Sequence, residues 1–206
     1  MGPPLAWATS MRQALAHPMD ALLSSTALVA LAEIGDKTQL LALLLAARFR
    51  RPAAIVAGIL LATLANHALA AWLGASAAAW LEGPWFGAVV ALGFIAMGLW
   101  TLVPDKLDED EAPRSGRSAF MTTLVSFFLV EIGDKTQIAT IALGARYGDV
   151  LAVTAGTTFG MLLANVPVVL AGDRLIRRVP LKAVRIAAAA LFVAMGAWLL
   201  WSRWPL

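Results

Sequence analysis

Glu33, Asp36 and Lys37 stand at a spacing that Glu131, Asp134 and Lys135 repeat, inside two identical stretches, Glu33-Ile34-Gly35-Asp36-Lys37-Thr38-Gln39 and Glu131-Ile132-Gly133-Asp134-Lys135-Thr136-Gln137. Each stretch lies within an apolar run, Ala21–Ala47 in one case and Ala119–Ala145 in the other. A helix centre in a bilayer is penalised by about 2.5–3.5 kcal/mol for each Asp, Lys or Arg and favoured by about 0.3–0.6 kcal/mol for each Leu, Ile, Phe or Val. Three ionised groups therefore oppose insertion by roughly 9 kcal/mol, and such a segment must turn its polar side to protein or water. Read as one continuous helix, Glu33 and Asp36 share a face and Lys37 pairs with Glu33 four residues away; the same reading holds for Glu131, Asp134 and Lys135. Four carboxylates against two lysines leave a charge of −2 when all are ionised. An ion-paired knot between helices does not remove that charge, whereas protons or a bound divalent cation do.

The candidate ligands all offer oxygen: Glu33, Asp36, Glu131 and Asp134, with Thr38, Gln39, Thr136 and Gln137 beside them and Asn66 and Asn165 in the apolar segments that follow. Oxygen donors suit hard ions such as Ca²⁺, Mg²⁺ and Mn²⁺. Gly35 and Gly133 separate the acids, and either close helix packing or local unwinding would use a residue without a side chain there; close packing is the commoner reason. His67 follows Asn66, but the counterpart beside Asn165 is Val166, so a role shared by both halves is excluded and His67 reads as a hydrogen-bonded interior residue.

These residues need elements to hold them. With 206 residues, 60% hydrophobic and 14% charged, the chain has the composition of an integral membrane protein, not of a soluble domain. Six runs are long enough to span a bilayer as helix: Ala21–Ala47, Ala53–Trp80, Phe86–Val103, Ala119–Ala145, Val150–Ala171 and Val184–Trp201. Pro167 is expected to kink the fifth, and Asp173 and Arg174 to lie at its interfacial end. Trp100, Trp198, Trp201 and Trp204 sit near segment ends and read as interfacial anchors. The first 18 residues lack the apolar core of a cleavable signal peptide, and Met1, Met11 and Met19 are all candidate starts. The absence of cysteine excludes disulfides, thiolate metal sites and a cysteine nucleophile.

An offset of 98 residues superposes the two acidic stretches and also Phe94–Trp100 on Phe192–Trp198, while Leu64-Ala65-Asn66 matches Leu163-Ala164-Asn165 at 99. The fold expected is all-α and polytopic, with six transmembrane helices as two inverted three-helix repeats: an extension at 1–20, a first repeat at 21–103, an acidic cytoplasmic linker at 104–118 and a second repeat at 119–206. An odd number of spans per repeat inverts the second copy. The loops on one side carry eleven basic residues, among them Arg48, Arg50, Arg51 and Arg114, against three on the other, Arg12, Arg146 and Arg203. That asymmetry places the first set in the cytoplasm and both termini outside.

Two copies of Glu-x-Gly-Asp-Lys-Thr, each opening a three-span unit, resemble the membrane family long called uncharacterised protein family 0016, or the Gdt-one type, over about Ala21–Trp201. The resemblance implies transport of Mn²⁺ and Ca²⁺ in exchange for protons, with bacterial members similar to Mn²⁺ exporters of the inner membrane. It implies a cation site of Glu33, Asp36, Glu131 and Asp134, with Lys37, Thr38, Lys135 and Thr136 completing the motifs. The expected partners are the cation, protons and the bilayer; no cofactor other than the transported ion and no nucleic acid are expected. Two alternatives remain at this level. A metal-dependent intramembrane enzyme acting on a lipid pyrophosphate would need a nucleophile or an arginine cluster inside the spans, and the single arginine there, Arg185, stands at the very start of the last one. A cation channel would use the same residues.

Overall fold

The computed structural model describes residues 18–81, 84–104, 118–172 and 179–202, and the described residues form eight helices and no strand. They are α1 (Pro18–Glu33), α2 (Lys37–Phe49), α3 (Pro52–Trp80), α4 (Pro84–Thr101), α5 (Ala119–Glu131), α6 (Lys135–Tyr147), α7 (Val150–Ala171) and α8 (Leu181–Trp201). Three of them, α3, α7 and α8, are long and apolar enough to cross a membrane by length and composition. At 29, 22 and 21 residues they extend about 43, 33 and 32 Å. The acidic linker, Trp204, Asp173 and Arg174 fall outside the described residues. Helix α7 runs unbroken through Pro167.

The continuous helix expected through each acidic stretch is not there. Helix α1 ends at Glu33 and α2 begins at Lys37; α5 ends at Glu131 and α6 begins at Lys135. Gly35 and Gly133 adopt φ of +84° and +77°, the left-handed region that glycine enters without steric cost. Asp36 and Asp134 follow in extended conformation as N-caps of α2 and α6, their carboxylates accepting from the Lys37 and Thr136 amides respectively. Three residues beyond each cap, a glutamine reaches back. Gln39 Oε1 accepts from the Gly35 amide at 2.9 Å, and Gln137 Oε1 from the Gly133 amide at 2.8 Å. This is a variant of the capping box. The glycines thus serve unwinding, and the shared helix face of Glu33, Asp36 and Lys37 does not exist.

The broken segments pack chiefly on the long helix of the other half: α1 and α2 on α7, α5 and α6 on α3, while α4 pairs with α8. Phe94 of α4 and Phe192 of α8, equivalent in the two halves, stack at 6.3 Å between centroids in the interior. Helices α3 and α6 approach closely at the end of α3 remote from Arg48–Arg51. A Cβ on Gly74 would lie 1.9 Å from the Ile141 carbonyl oxygen, and one on Gly144 2.3 Å from that of Ala71. The bundle buries a set of polar side chains beside its apolar core and exposes large apolar ones. Glu33, Asp36, Thr38, Asn66, His67, Glu131 and Asp134 are buried, while Leu23, Leu61, Leu99, Leu129 and Leu163 are exposed. That arrangement suits a lipid surround, in which exposed apolar groups cost nothing and polar ones must find internal partners. Trp201 is exposed, as an anchor would be; Trp100 and Trp198 are half exposed and also lie against Lys135 and Arg146 at 5.8 and 4.9 Å.

Candidate cation site at the helix breaks

The two breaks meet in the interior. Ligand atoms of Glu33, Glu131 and Asp134 all lie within 4.8 Å of one another, and all three residues are buried. A cation with ligand distances of about 2.3–2.6 Å sets opposite ligands about 4.6–5.2 Å apart, so these carboxylates fit one coordination sphere. Asp36 is buried as the cap of α2 and is not a member of that cluster. Of the four carboxylates expected from the repeat, the structure brings three within this distance of one another.

The two glutamates are treated unequally. Glu33 Oε2 accepts from Thr38 Oγ1 at 2.5 Å and from Asn165 Nδ2 at 3.5 Å, and its Oε1 accepts from Thr136 Oγ1. Threonines of both motifs thus converge on Glu33. Glu131 has neither oxygen hydrogen-bonded, although both are buried. Asn66 donates through Nδ2 to the Phe128 carbonyl at 3.0 Å, leaving its own Oδ1 without a hydrogen bond, and Asn165 Oδ1 is in the same condition. A buried acceptor that finds no donor costs about 1–3 kcal/mol, more when charged. Four oxygens, both of Glu131 and one on each asparagine, are in this condition.

The lysines do not pair as local spacing implied. Lys37 Nζ lies 3.5 Å from Asp134 Oδ1, across the two motifs, because the break at Gly35 carries it away from Glu33. Lys135 is buried and donates to the Val103 carbonyl at 2.9 Å. Gln39 Nε2 donates to the Ala164 carbonyl at 2.8 Å, tying the first break to α7, and Gln137 is half-buried at the second break. His67, expected as a hydrogen-bonded interior residue, is fully buried but neither ring nitrogen is hydrogen-bonded, and its Nε2 lies 3.5 Å from Glu131 Oε1. Symmetry between the halves hid it, since Val166 occupies the equivalent place; a lone imidazole two segments from an acidic motif was the available signal.

Apolar helices around a buried acidic centre at two helix breaks place the chain among ion-handling membrane proteins. The family described as divalent cation/proton antiporter GDT1 matches residues 21–109 and 119–205, and the chain belongs to that family. Because the family is one of cation transporters, the enzyme alternative is set aside. Among its relatives is a Vibrio cholerae protein named "Putative manganese exporter", 54% identical over 181 residues, which span 87% of this chain and 90% of that protein. GDT1-like protein 5 of Arabidopsis thaliana is 28% identical over 210 residues, covering 84% of this chain and 91% of its own length. No solved structure matches.

Proposed function

We propose that the chain is a secondary exchanger that carries Mn²⁺, with Ca²⁺ as the alternative substrate, against protons, through a site built on Glu33, Glu131 and Asp134. The observation that carries this reading is the buried cluster of three carboxylates drawn from both motifs, with Glu131 lacking any hydrogen-bond donor. Like charges this close resist simultaneous ionisation, and a divalent cation relieves the repulsion. Cation and proton then compete for the same oxygens, and loading one expels the other. Asp36 and Asp134 hold the ends of α2 and α6 in place, Lys37 offsets negative charge beside Asp134, and Thr38, Thr136 and Asn165 orient Glu33.

Six spans as two inverted repeats belong to the same proposal, with both termini outside and the acidic linker in the cytoplasm. Its support is the duplicated motif, the matching breaks, and the pairing of each broken segment with the long helix of the other half. Unequal packing of the two ends favours a carrier over a channel. The residues that close α3 against α6 include Ala71, Ile141 and Gly144. Their counterparts at the repeat offsets, Leu170, Leu43 and Ala46, line an open surface depression between α2 and α7, where Leu170 is exposed. A cavity of about 120 Å³ touches Ile34 and Gln39 of the first motif. One end is thus tightly packed where the equivalent residues of the other half stand apart at the surface, an asymmetry in keeping with a carrier in one of two related states.

Binding of Mn²⁺ or Ca²⁺ at several pH values, in buffers of different ionisation enthalpy, tests the exchange. Affinity should rise with pH and binding should release protons. Affinity independent of pH with no proton released would refute shared occupancy. Transport into proteoliposomes under an imposed pH gradient should give Mn²⁺ movement that collapses with the gradient. Single cysteines at Ser10 and Ser115 should label from opposite membrane faces; labelling of both from one face would refute the topology.

A further inference from the structure

We propose that His67 is a nitrogen ligand of the transported cation and the residue that sets a preference for a transition-metal ion over Ca²⁺ and Mg²⁺. The proposal rests on the reading of the carboxylate cluster as the cation site. His67 projects from α3, one residue after Asn66, and is fully buried. Neither ring nitrogen has a hydrogen-bond partner, and neither oxygen of Glu131 has one. The 3.5 Å between His67 Nε2 and Glu131 Oε1 exceeds the 2.7–3.2 Å of a protein hydrogen bond, so two buried polar groups face each other without satisfying each other. Ligand atoms about 2.1–2.5 Å from one ion and at right angles stand about 3.0–3.5 Å apart. An ion held by Glu131 therefore meets the imidazole without a change of helix position. The next residue back brings Asn66 Oδ1, also without a hydrogen bond, to the same stretch of α3.

The chemical consequence is selectivity. Every other candidate donor in the cluster is oxygen, which serves Ca²⁺, Mg²⁺ and Mn²⁺ alike. An imidazole nitrogen adds binding energy for a first-row transition ion and little for the alkaline earths. Because Val166 stands at the equivalent place, only one half of the protein offers nitrogen, and the cation is expected to sit off the midline toward Glu131 and α3. A satisfied oxygen cage at Glu33 and a donor-poor one at Glu131 point the same way.

The test is pulsed electron paramagnetic resonance on the purified full chain loaded with Mn²⁺, together with Mn²⁺ and Ca²⁺ affinities of wild type and His67→Val, the residue of the other half. The wild type should show modulation from a directly bound ¹⁴N, changed to the ¹⁵N pattern when histidine is isotopically labelled and lost in H67V. H67V should lose at least the roughly tenfold in Mn²⁺ affinity that removal of even an outer-shell partner costs, while Ca²⁺ affinity holds. Mn²⁺ bound without nitrogen coupling in the wild type would overturn the proposal while leaving the carboxylate site intact, as would an unchanged Mn²⁺ to Ca²⁺ ratio in H67V. A wild type that binds neither ion would overturn both readings. The labelled wild type answers the question even where H67V does not fold.

Discussion

Gly74→Ala should stall transport by forbidding one of the two end closures. The added methyl would lie 1.9 Å from the Ile141 carbonyl oxygen, against the 3.4 Å at which ordinary contact begins, so α3 and α6 must part by about 1.5 Å. Backbone, not a flexible side-chain tip, is the obstacle, and overpacking of this kind costs about 1–3 kcal/mol. If the closure belongs to only one of two transport states, about 2 kcal/mol lowers that state's population roughly thirtyfold. Mn²⁺ flux in proteoliposomes should fall to a few per cent of wild type, and a cysteine at Ala46, in the open depression between α2 and α7, should become slower to label as the other state takes over. Gly93→Ala is the control, because a Cβ there meets nothing within 4 Å. A Gly74→Ala protein that carries Mn²⁺ at the wild-type rate, with Ala46→Cys labelled as fast as before, would refute the link between this contact and the transport cycle.

Glu33→Gln and Glu131→Gln should each abolish cation-coupled flux, but for different reasons. E33Q removes an acid already held by three donors and should also lower thermal stability in detergent, whereas E131Q removes one held by none and should leave stability unchanged or raised. Gln39→Leu should lower the unfolding free energy by about 1–3 kcal/mol, since it strands the Gly35 amide and cuts the tie to the Ala164 carbonyl of α7; thermal unfolding set beside Gln137→Leu, which strands the Gly133 amide, reads the difference. Gly133→Ala has open space for its methyl but a φ of +77°, so it should cost about 1–2 kcal/mol through backbone strain alone; an unchanged melting temperature would show that the break can relax.

Composition and the duplicated seven-residue stretch made the all-helical membrane class and the nearness of Glu33, Glu131 and Asp134 legible in the sequence. The helix breaks were not, because an i, i+4 reading assumes a continuous helix and so turns Glu33 and Lys37 into neighbours. The signal against it was present in Asp36 and Gln39, and again in Asp134 and Gln137: an N-cap residue followed three positions later by glutamine marks a helix start, here in mid-segment. The Lys37 to Asp134 pair could not be read locally, since it joins residues brought together only by the packing of the two halves. His67 was undervalued for the opposite reason. Repeat symmetry is a guide to shared machinery and discards whatever one half has alone.

The glutamine that closes each break comes from the same motif as the glycine whose amide it accepts, and that bears on how the protein is made. The first three segments emerge before Glu131 exists, so any feature depending on the second half must wait for it. The break at Gly35 does not wait: Gln39 satisfies its amide, Asp36 starts the next helix and Thr38 binds Glu33, all within seven residues. A discontinuous helix can therefore be handed to the lipid already shaped, while Glu33, Lys37 and the Gln39 amide still await Thr136, Asn165, Asp134 and the Ala164 carbonyl of the second half. The second motif inherits the reverse order, for when Glu131 is synthesised the helix that carries His67, its neighbour in the folded protein, and Asn66, which binds the Phe128 carbonyl, already exists.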